Sequence, residues 1–211
     1  MKGFWIALGA MAVVLIFAVF SIFMAYKTTY DTLNIKQQNV NAAKSNYSAA
    51  LETIPQKIEG VWAMAQQYMD HESKTFTDVA ALRSGALQAV EQFKQATLSD
   101  ADMSKLNMLA GQTMQRLNEA ALAINLQFER YPELRASETT QRAMVTLEEG
   151  VNEVKTALDD WISSIKNYNT YRGELIVGIF ANFMSKYPLS YEYFESDTKK
   201  LDINSLNPVK K

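Results

Sequence analysis

The chain has 211 residues, with 21 basic and 23 acidic side chains, one histidine and no cysteine. The near-neutral charge gives no electrostatic case for binding nucleic acid, and the lack of cysteine excludes disulfides, thiolate metal sites and cysteine nucleophiles. Glycine and proline number only 8 and 4, a scarcity typical of long helices. We therefore expect an all-α protein.

The first predicted element is an apolar stretch, residues 3–26, which contains no charged residue and no proline. A helix needs about 20 apolar residues to cross a bilayer core. A cleaved signal peptide is the alternative, but its apolar region is about 7–15 residues long and ends at small side chains. We predict a retained transmembrane anchor over residues 1–26, with Phe4, Trp5, Leu15, Phe20 and Tyr26 spanning the membrane.

Beyond the anchor, apolar residues recur at helical spacing and predict one packing stripe. The stripe consists of Tyr26, Tyr30, Leu33, Val40, Tyr47, Leu51 and Ile54. No Gly- or Ser-rich linker intervenes, so we expect the transmembrane helix to continue outward. Thr53 suits a helix N-cap and Pro55 suits a first turn, which predicts a turn into a second helix. A kink in one longer helix is the alternative.

Three further stripes cover residues 58–93, 103–128 and 144–183. The second has a predicted weak point or short break at residues 71–73, and the third stops at Pro132 because proline disfavours helix continuation. Four amphipathic helices with short links pack best as an antiparallel bundle. We predict that the transmembrane helix continues into an elongated antiparallel four-helix bundle over residues 27–190. Residues 191–211 are predicted to form a polar, poorly ordered tail.

The fourth stripe is predicted to pass through Arg172 and end in Leu175, Ile179 and Phe183. Beside it lie further apolar and aromatic residues, namely Ile176, Phe180, Met184, Tyr187 and Tyr191. In an antiparallel bundle this end of the helix returns toward the anchor. Two interpretations stay open. The apolar region packs on the first helix or on the tail, or it forms a surface for lipid or a partner.

The segment Glu129-Arg130-Tyr131-Pro132-Glu133-Leu134-Arg135-Ala136 resembles the E-x-Y-P-E/D-L-K-A segment of the LemA family. That family consists of small bacterial membrane proteins with one N-terminal span and a helical bundle. Further similarities occur in the expected order: Tyr30-Asp31-Thr32-Leu33, Ile54-Pro55, Tyr68 with His71-Glu72, and Ala157, Trp161, Ile165 and Tyr168-Asn169. The chain departs from the family pattern at Glu52-Thr53, where the family has a basic pair. The resemblance implies a membrane-anchored helical rod without an established enzymatic activity.

Catalytic and metal motifs are weak or missing in the sequence. His71 lacks good ligands three or four residues away, and a bundle di-iron site needs two Glu-x-x-His motifs, which one histidine cannot supply. Asp159-Asp160 and Glu148-Glu149 flank apolar stripe positions, as a solvated helix face does. We predict no catalytic activity, no metal and no cofactor.

These observations predict a single-pass protein of the bacterial inner membrane that acts as a scaffold or interaction module. The expected partners are the lipid bilayer and other membrane or envelope proteins, with self-association as a further option and no nucleic acid. A sensory or ligand-binding helical bundle is the alternative, and a metal-dependent enzyme comes third. Positive charge near the span gives too thin a margin to decide which side the bundle faces.

Overall fold

The computed structural model describes residues 2–66, 74–99, 101–131 and 137–194. These residues form five helices: α1 (Lys2–Gln66), α2 (Lys74–Leu98), α3 (Met103–Arg130), α4 (Glu138–Arg172) and α5 (Leu175–Met184). No strand occurs within these ranges, so the predicted all-α class is confirmed. The chain divides into unit 1, Met1–Val40 with Lys166–Ser190, and unit 2, Asn41–Ile165 with Tyr191–Lys211.

The core of unit 2 forms around an aromatic cluster to which four helices contribute. The Tyr47 ring of α1 lies 5.0 Å from the Phe93 ring of α2 and 5.7 Å from the Trp161 ring of α4. The Tyr47 hydroxyl donates a hydrogen bond of 3.0 Å to the Ala110 carbonyl of α3. All four groups lie in buried positions, and the predicted helical bundle is thereby confirmed.

Contacts farther along α1 give the helix directions in unit 2. Glu59 pairs with Arg83 of α2, whereas Tyr47 contacts Phe93, so α1 and α2 run antiparallel. Lys57 approaches Glu153 of α4 at 3.9 Å. Because Tyr47 meets Trp161 on the same pair of helices, α1 and α4 are antiparallel as well.

Pro55 lies inside α1, which continues from Lys2 to Gln66. The predicted turn at this proline is therefore wrong. Leu51, Ile54 and Ile58 are all buried on one face of the helix around it. Their burial offsets the cost of about 3 kcal/mol for a helix-interior proline. The predicted weak point at residues 71–73 lies outside the described residues.

The predicted fourth helix is in fact two helices, because α4 ends at Arg172 and α5 begins at Leu175. The Gly173 amide donates to the Asn169 carbonyl at 3.0 Å, which closes the last turn of α4. Glu174 is extended, with φ −63° and ψ 137°. Two non-helical residues shift the phase of the 3.6-residue repeat, so the apolar positions of α5 do not continue the buried face of α4.

The C-terminal part of the described chain packs against α3 within unit 2. The Phe194 amide donates to the Asn107 Oδ1 atom at 3.1 Å, and the Phe194 ring covers Gly111. Phe194 belongs to the predicted tail, residues 191–211, of which residues 195–211 lie outside the described residues.

Candidate functional site

The N-terminal half of α1 exposes almost all of its apolar side chains. Phe4, Trp5, Leu15 and Phe20 are 58–69% exposed, and Tyr26 is 39% exposed. Within the described ranges, α1 is the helix long and apolar enough to cross a membrane by length and composition. None of its most apolar 18-residue stretch is buried. Such exposure sets this segment apart from the core helix of a soluble protein.

An open groove lies between α1 and α2 in unit 2, with a volume of about 390 Å³. We call it the α1–α2 groove and define it by its floor and its rim. The floor consists of the buried side chains of Leu51, Val90 and Phe93. The smaller Ser48 and Pro55 also line the groove, and they leave the space between the two helices unfilled.

The rim of the α1–α2 groove carries three carboxylates and one lysine: Glu52, Glu59, Glu91 and Lys94. Both carboxylate oxygens of Glu59 accept from the Arg83 Nη1 atom, at distances of 2.8 and 2.6 Å. The Glu59 side chain is 48% exposed, so its carboxylate can also face a cationic group of a ligand. An apolar floor with an acidic rim favours an amphipathic, basic ligand.

The structure separates the residues predicted as a partner or lipid surface. Ile176 is exposed, Phe180 and Met184 are half-buried, and Tyr187 is buried. These four belong to unit 1, whereas Tyr191 belongs to unit 2.

Two aromatic contacts join the segment that contains Phe180 and Tyr187 to α1 within unit 1. The Phe180 ring meets the Tyr26 ring edge-on at 5.9 Å. The Tyr187 ring meets the Tyr30 ring at 6.1 Å, and its hydroxyl donates to the Tyr30 carbonyl at 3.4 Å. Burial, together with the nearby Tyr30, Asp31 and Tyr26 side chains, raises the pKa of the Tyr187 phenol above its ordinary value. The predicted return of this segment to the anchor helix is confirmed by these contacts.

The apolar side chains that α5 exposes are Leu175, Ile176, Ile179 and Phe183, which are 51–81% exposed. We call this set the α5 outer face. Three of its members, all except Ile176, were predicted to continue a buried stripe, and that prediction is wrong. Val177 and Ala181 on the opposite side of α5 are buried instead. Gly173 was the sequence signal for the break, since a glycine just past a helical stripe often ends the helix.

Arg172 holds α5 in place from the end of α4. The guanidinium is buried, and its Nη2 atom donates to the Asn182 Oδ1 atom at 2.6 Å. In the sequence Arg172 is only a charged interruption of a stripe, because its acceptor Asn182 lies beyond a helix break that the stripe did not predict.

The carboxylates predicted to be solvated are largely so. Glu149, Asp159 and Asp160 are exposed, and Glu148 is half-buried. The Asp159 carboxylate accepts from the Lys155 ammonium at 2.6 Å. No group of three or more His, Asp or Glu side chains suited to a metal ion occurs in the described part of the chain. His71 lies outside the described residues.

Comparison with protein families matches residues 57–204 to the LemA family. No curated protein matches the chain, and no solved structure does so either. The match includes the Glu129–Ala136 segment, of which residues 132–136 are outside the described ranges. It begins after the Tyr30–Leu33 and Ile54-Pro55 similarities. Because the matched region is more than half of the 211 residues, the chain belongs to the LemA family.

Proposed function

We propose that the chain is a membrane-anchored helical interaction protein of the bacterial envelope, without catalytic activity, held in the cytoplasmic membrane by a single span. The apolar stretch from Gly3 to Tyr26 is about 36 Å long as a helix. That length exceeds the bilayer core of about 30 Å. Its exposed apolar side chains support the anchor, because burial in lipid removes their contact with water.

The α1–α2 groove carries the proposed interaction. Two antiparallel helices with an unfilled apolar space between them can accept a third helix along the groove, and amphipathic helices commonly bind proteins in this way. The floor would take the apolar face of the incoming helix. Glu52, Glu59 and Glu91 on the rim favour lysine and arginine beside that face. The proposed occupant is a basic amphipathic helix of another membrane or envelope protein.

Site-specific crosslinking in membranes tests this function. Leu98 lines the groove and is 81% exposed, so a photo-crosslinking amino acid there should capture the bound helix. Val145 of α4 does not line the groove and is 51% exposed, which makes it the matched control in the same unit.

The expected result is capture of a segment rich in lysine and arginine from position 98 but not from position 145. Charge reversal by Glu52→Lys with Glu91→Lys should abolish that capture while leaving the fold unchanged by circular dichroism. Capture of copies of the chain alone, equal capture from both positions, or capture insensitive to the charge reversal would contradict the proposal.

A ligand-binding bundle is the second candidate function, and the volume of the groove favours it. The value of about 390 Å³ falls within the range of about 300–1,000 Å³ typical of small-molecule sites. Native mass spectrometry of the chain released from membranes would show a stoichiometric apolar molecule in this case. Ser48→Trp, which fills the groove, should remove that molecule. A chain that carries no bound molecule, or one whose binding survives Ser48→Trp, counts against this function.

A further inference from the structure

We propose that the α5 outer face lies in the membrane interface beside the N-terminal span, so that lipid covers it. The occupant is the headgroup and upper acyl region of the bilayer. This inference rests on the proposed membrane anchoring and adds a second lipid contact, which belongs to the folded part of unit 1.

Contacts with α1 place this part of the chain along the anchor helix. The Lys36 ammonium lies 5.3 Å from the centre of the Tyr171 ring, and the Phe180 ring lies 5.9 Å from the Tyr26 ring. Ten residues of α1 separate these two points, a rise of about 15 Å. The chain therefore runs antiparallel to α1 and toward the span between Tyr171 and Phe180.

The chain reverses its direction just after α5. Ser185 is in the left-handed region, with φ 51°, and Tyr187 then contacts Tyr30. The chain thus contacts Tyr26 through Phe180, reverses, and contacts Tyr30 through Tyr187. Phe183 lies between Phe180 and the reversal, on the part of this segment nearest the span, and its ring is 80% exposed.

The composition of α5 suits lipid better than water. Its ten residues, LIVGIFANFM, contain no charged side chain, and the α5 outer face exposes four large apolar groups together. Such clusters in water are unfavourable. A helix with one apolar face can lie at the boundary between headgroups and acyl chains, about 5–10 Å deep.

Residues around α5 provide the polar boundary expected at that depth. The Lys186 ammonium lies 5.7 Å from the Tyr30 ring centre and 5.6 Å from that of Tyr187. Tyrosines concentrate at membrane interfaces, and lysines there extend their ammonium groups toward the headgroups. Tyr26 connects this region to the exposed apolar part of α1, so the α5 outer face continues a surface already proposed to contact lipid. This continuity favours lipid over a protein partner.

Spin labels on single cysteines test the inference directly, because the chain has no cysteine of its own. The label at Phe183→Cys reports on the α5 outer face. Val145→Cys is the water control, since Val145 is 51% exposed in unit 2 and does not line the α1–α2 groove, and Phe17→Cys, at a position 67% exposed in α1, is the lipid control. The full chain is reconstituted in phosphatidylcholine–phosphatidylglycerol vesicles. Collision of each label with oxygen, which concentrates in lipid, is compared with collision with a water-soluble nickel chelate.

We expect the oxygen-to-nickel collision ratio at position 183 to exceed that at position 145 and to approach that at position 17. Ile179→Cys should give the same result as Phe183→Cys. A ratio at 183 equal to that at 145, with position 17 in lipid, overturns this inference and leaves the anchor intact. An immobilised label at 183, shielded from both reagents, overturns it in favour of a covering protein. Nickel access at position 17 overturns the anchor and this inference together. Unchanged circular dichroism of each labelled chain shows that the fold is retained.

Discussion

The contact between Gly111 and Phe194 predicts that Gly111→Ala destabilises the natural chain but stabilises a chain that lacks the Phe194 ring. A double-mutant cycle can measure this change of sign. A Cβ atom added at Gly111 would lie under 3.0 Å from three atoms of the Phe194 ring. Replacing a helix-interior glycine by alanine ordinarily stabilises a protein by about 0.5–1 kcal/mol. Overpacking against an aromatic ring costs about 1–3 kcal/mol. Gly111→Ala should therefore lower the free energy of unfolding by about 1 kcal/mol in the natural chain.

The loss has an upper limit, because the C-terminal segment can leave α3 and relieve the overlap. That limit is the free energy of the Phe194 packing plus that of the hydrogen bond from the Phe194 amide to Asn107. The hydrogen bond contributes about 1 kcal/mol. In a Phe194→Ala background the overlap is gone. Gly111→Ala should then stabilise the chain by about 0.5–1 kcal/mol, which gives a coupling of about 1.5–2 kcal/mol.

Urea unfolding of the full chain in detergent micelles, monitored by circular dichroism, gives the four free energies required. Gly85→Ala in α2 is the matched control, since a Cβ atom there has nothing within 4 Å. It should stabilise both backgrounds equally. A coupling below about 0.5 kcal/mol, the range of independent sites, would refute the packing of Phe194 on Gly111.

Four further substitutions test other parts of the fold by the same unfolding measurement. Tyr47→Phe should cost about 1 kcal/mol at pH 7 through the lost hydrogen bond to Ala110. Burial raises the pKa of the Tyr47 phenol, so above about pH 10 only the unfolded chain ionises there and stability falls. In Tyr47→Phe the free energy of unfolding should fall less steeply above about pH 10, by about 1.4 kcal/mol per pH unit. The same slope in the natural chain and in Tyr47→Phe would contradict this prediction. Pro55→Ala should raise the free energy of unfolding by up to about 3 kcal/mol, and a loss would mean that the ring has essential packing. Asn182→Ala should cost about 1.5–3 kcal/mol, because the Arg172 Nη2 atom loses its acceptor. Arg172→Met should suppress this cost, and additive losses would disprove the pairing.

Helix existence and most of the core were predictable from residue spacing. Every apolar position predicted from Met144 to Tyr168 is buried, because α4 is regular over that length and the period of 3.6 residues keeps one face toward its neighbours. The spacing did not predict which apolar residues are buried beyond Gly173. Two non-helical residues rotate α5 relative to the stripe of α4. The apolar spacing along one helix cannot predict which face of the next helix is buried once a break intervenes.

Pro55 shows the opposite case, where local chemistry predicted a break that packing prevented. A threonine two residues before a proline has the residue types of a helix start. The Thr53 hydroxyl instead donates to the Ala50 carbonyl at 3.2 Å, within the continuing helix. Burial of Leu51, Ile54 and Ile58 on both sides of the proline outweighs the local preference.

For the apolar region near the end of the helical part, the sequence predicted its position but not which of its side chains are exposed. It left open whether residues 176–191 pack on the first helix or form a surface. Phe180 and Tyr187 contact Tyr26 and Tyr30 of that helix, whereas Ile176 is exposed. The α1–α2 groove had no sequence signal at all, since a groove is the space that two packed helices leave unfilled.

By itself, the sequence of this LemA family member determined the helical class, the apolar N-terminal segment and the residues able to form a core. These depend on composition and on spacing along one helix, which are local properties of the chain. Only the tertiary structure decided whether Pro55 ends a helix, which face of α5 is exposed, and where α1 and α2 leave a groove. Each of these depends on residues distant in the sequence, and the free energy of their packing overrides local preferences.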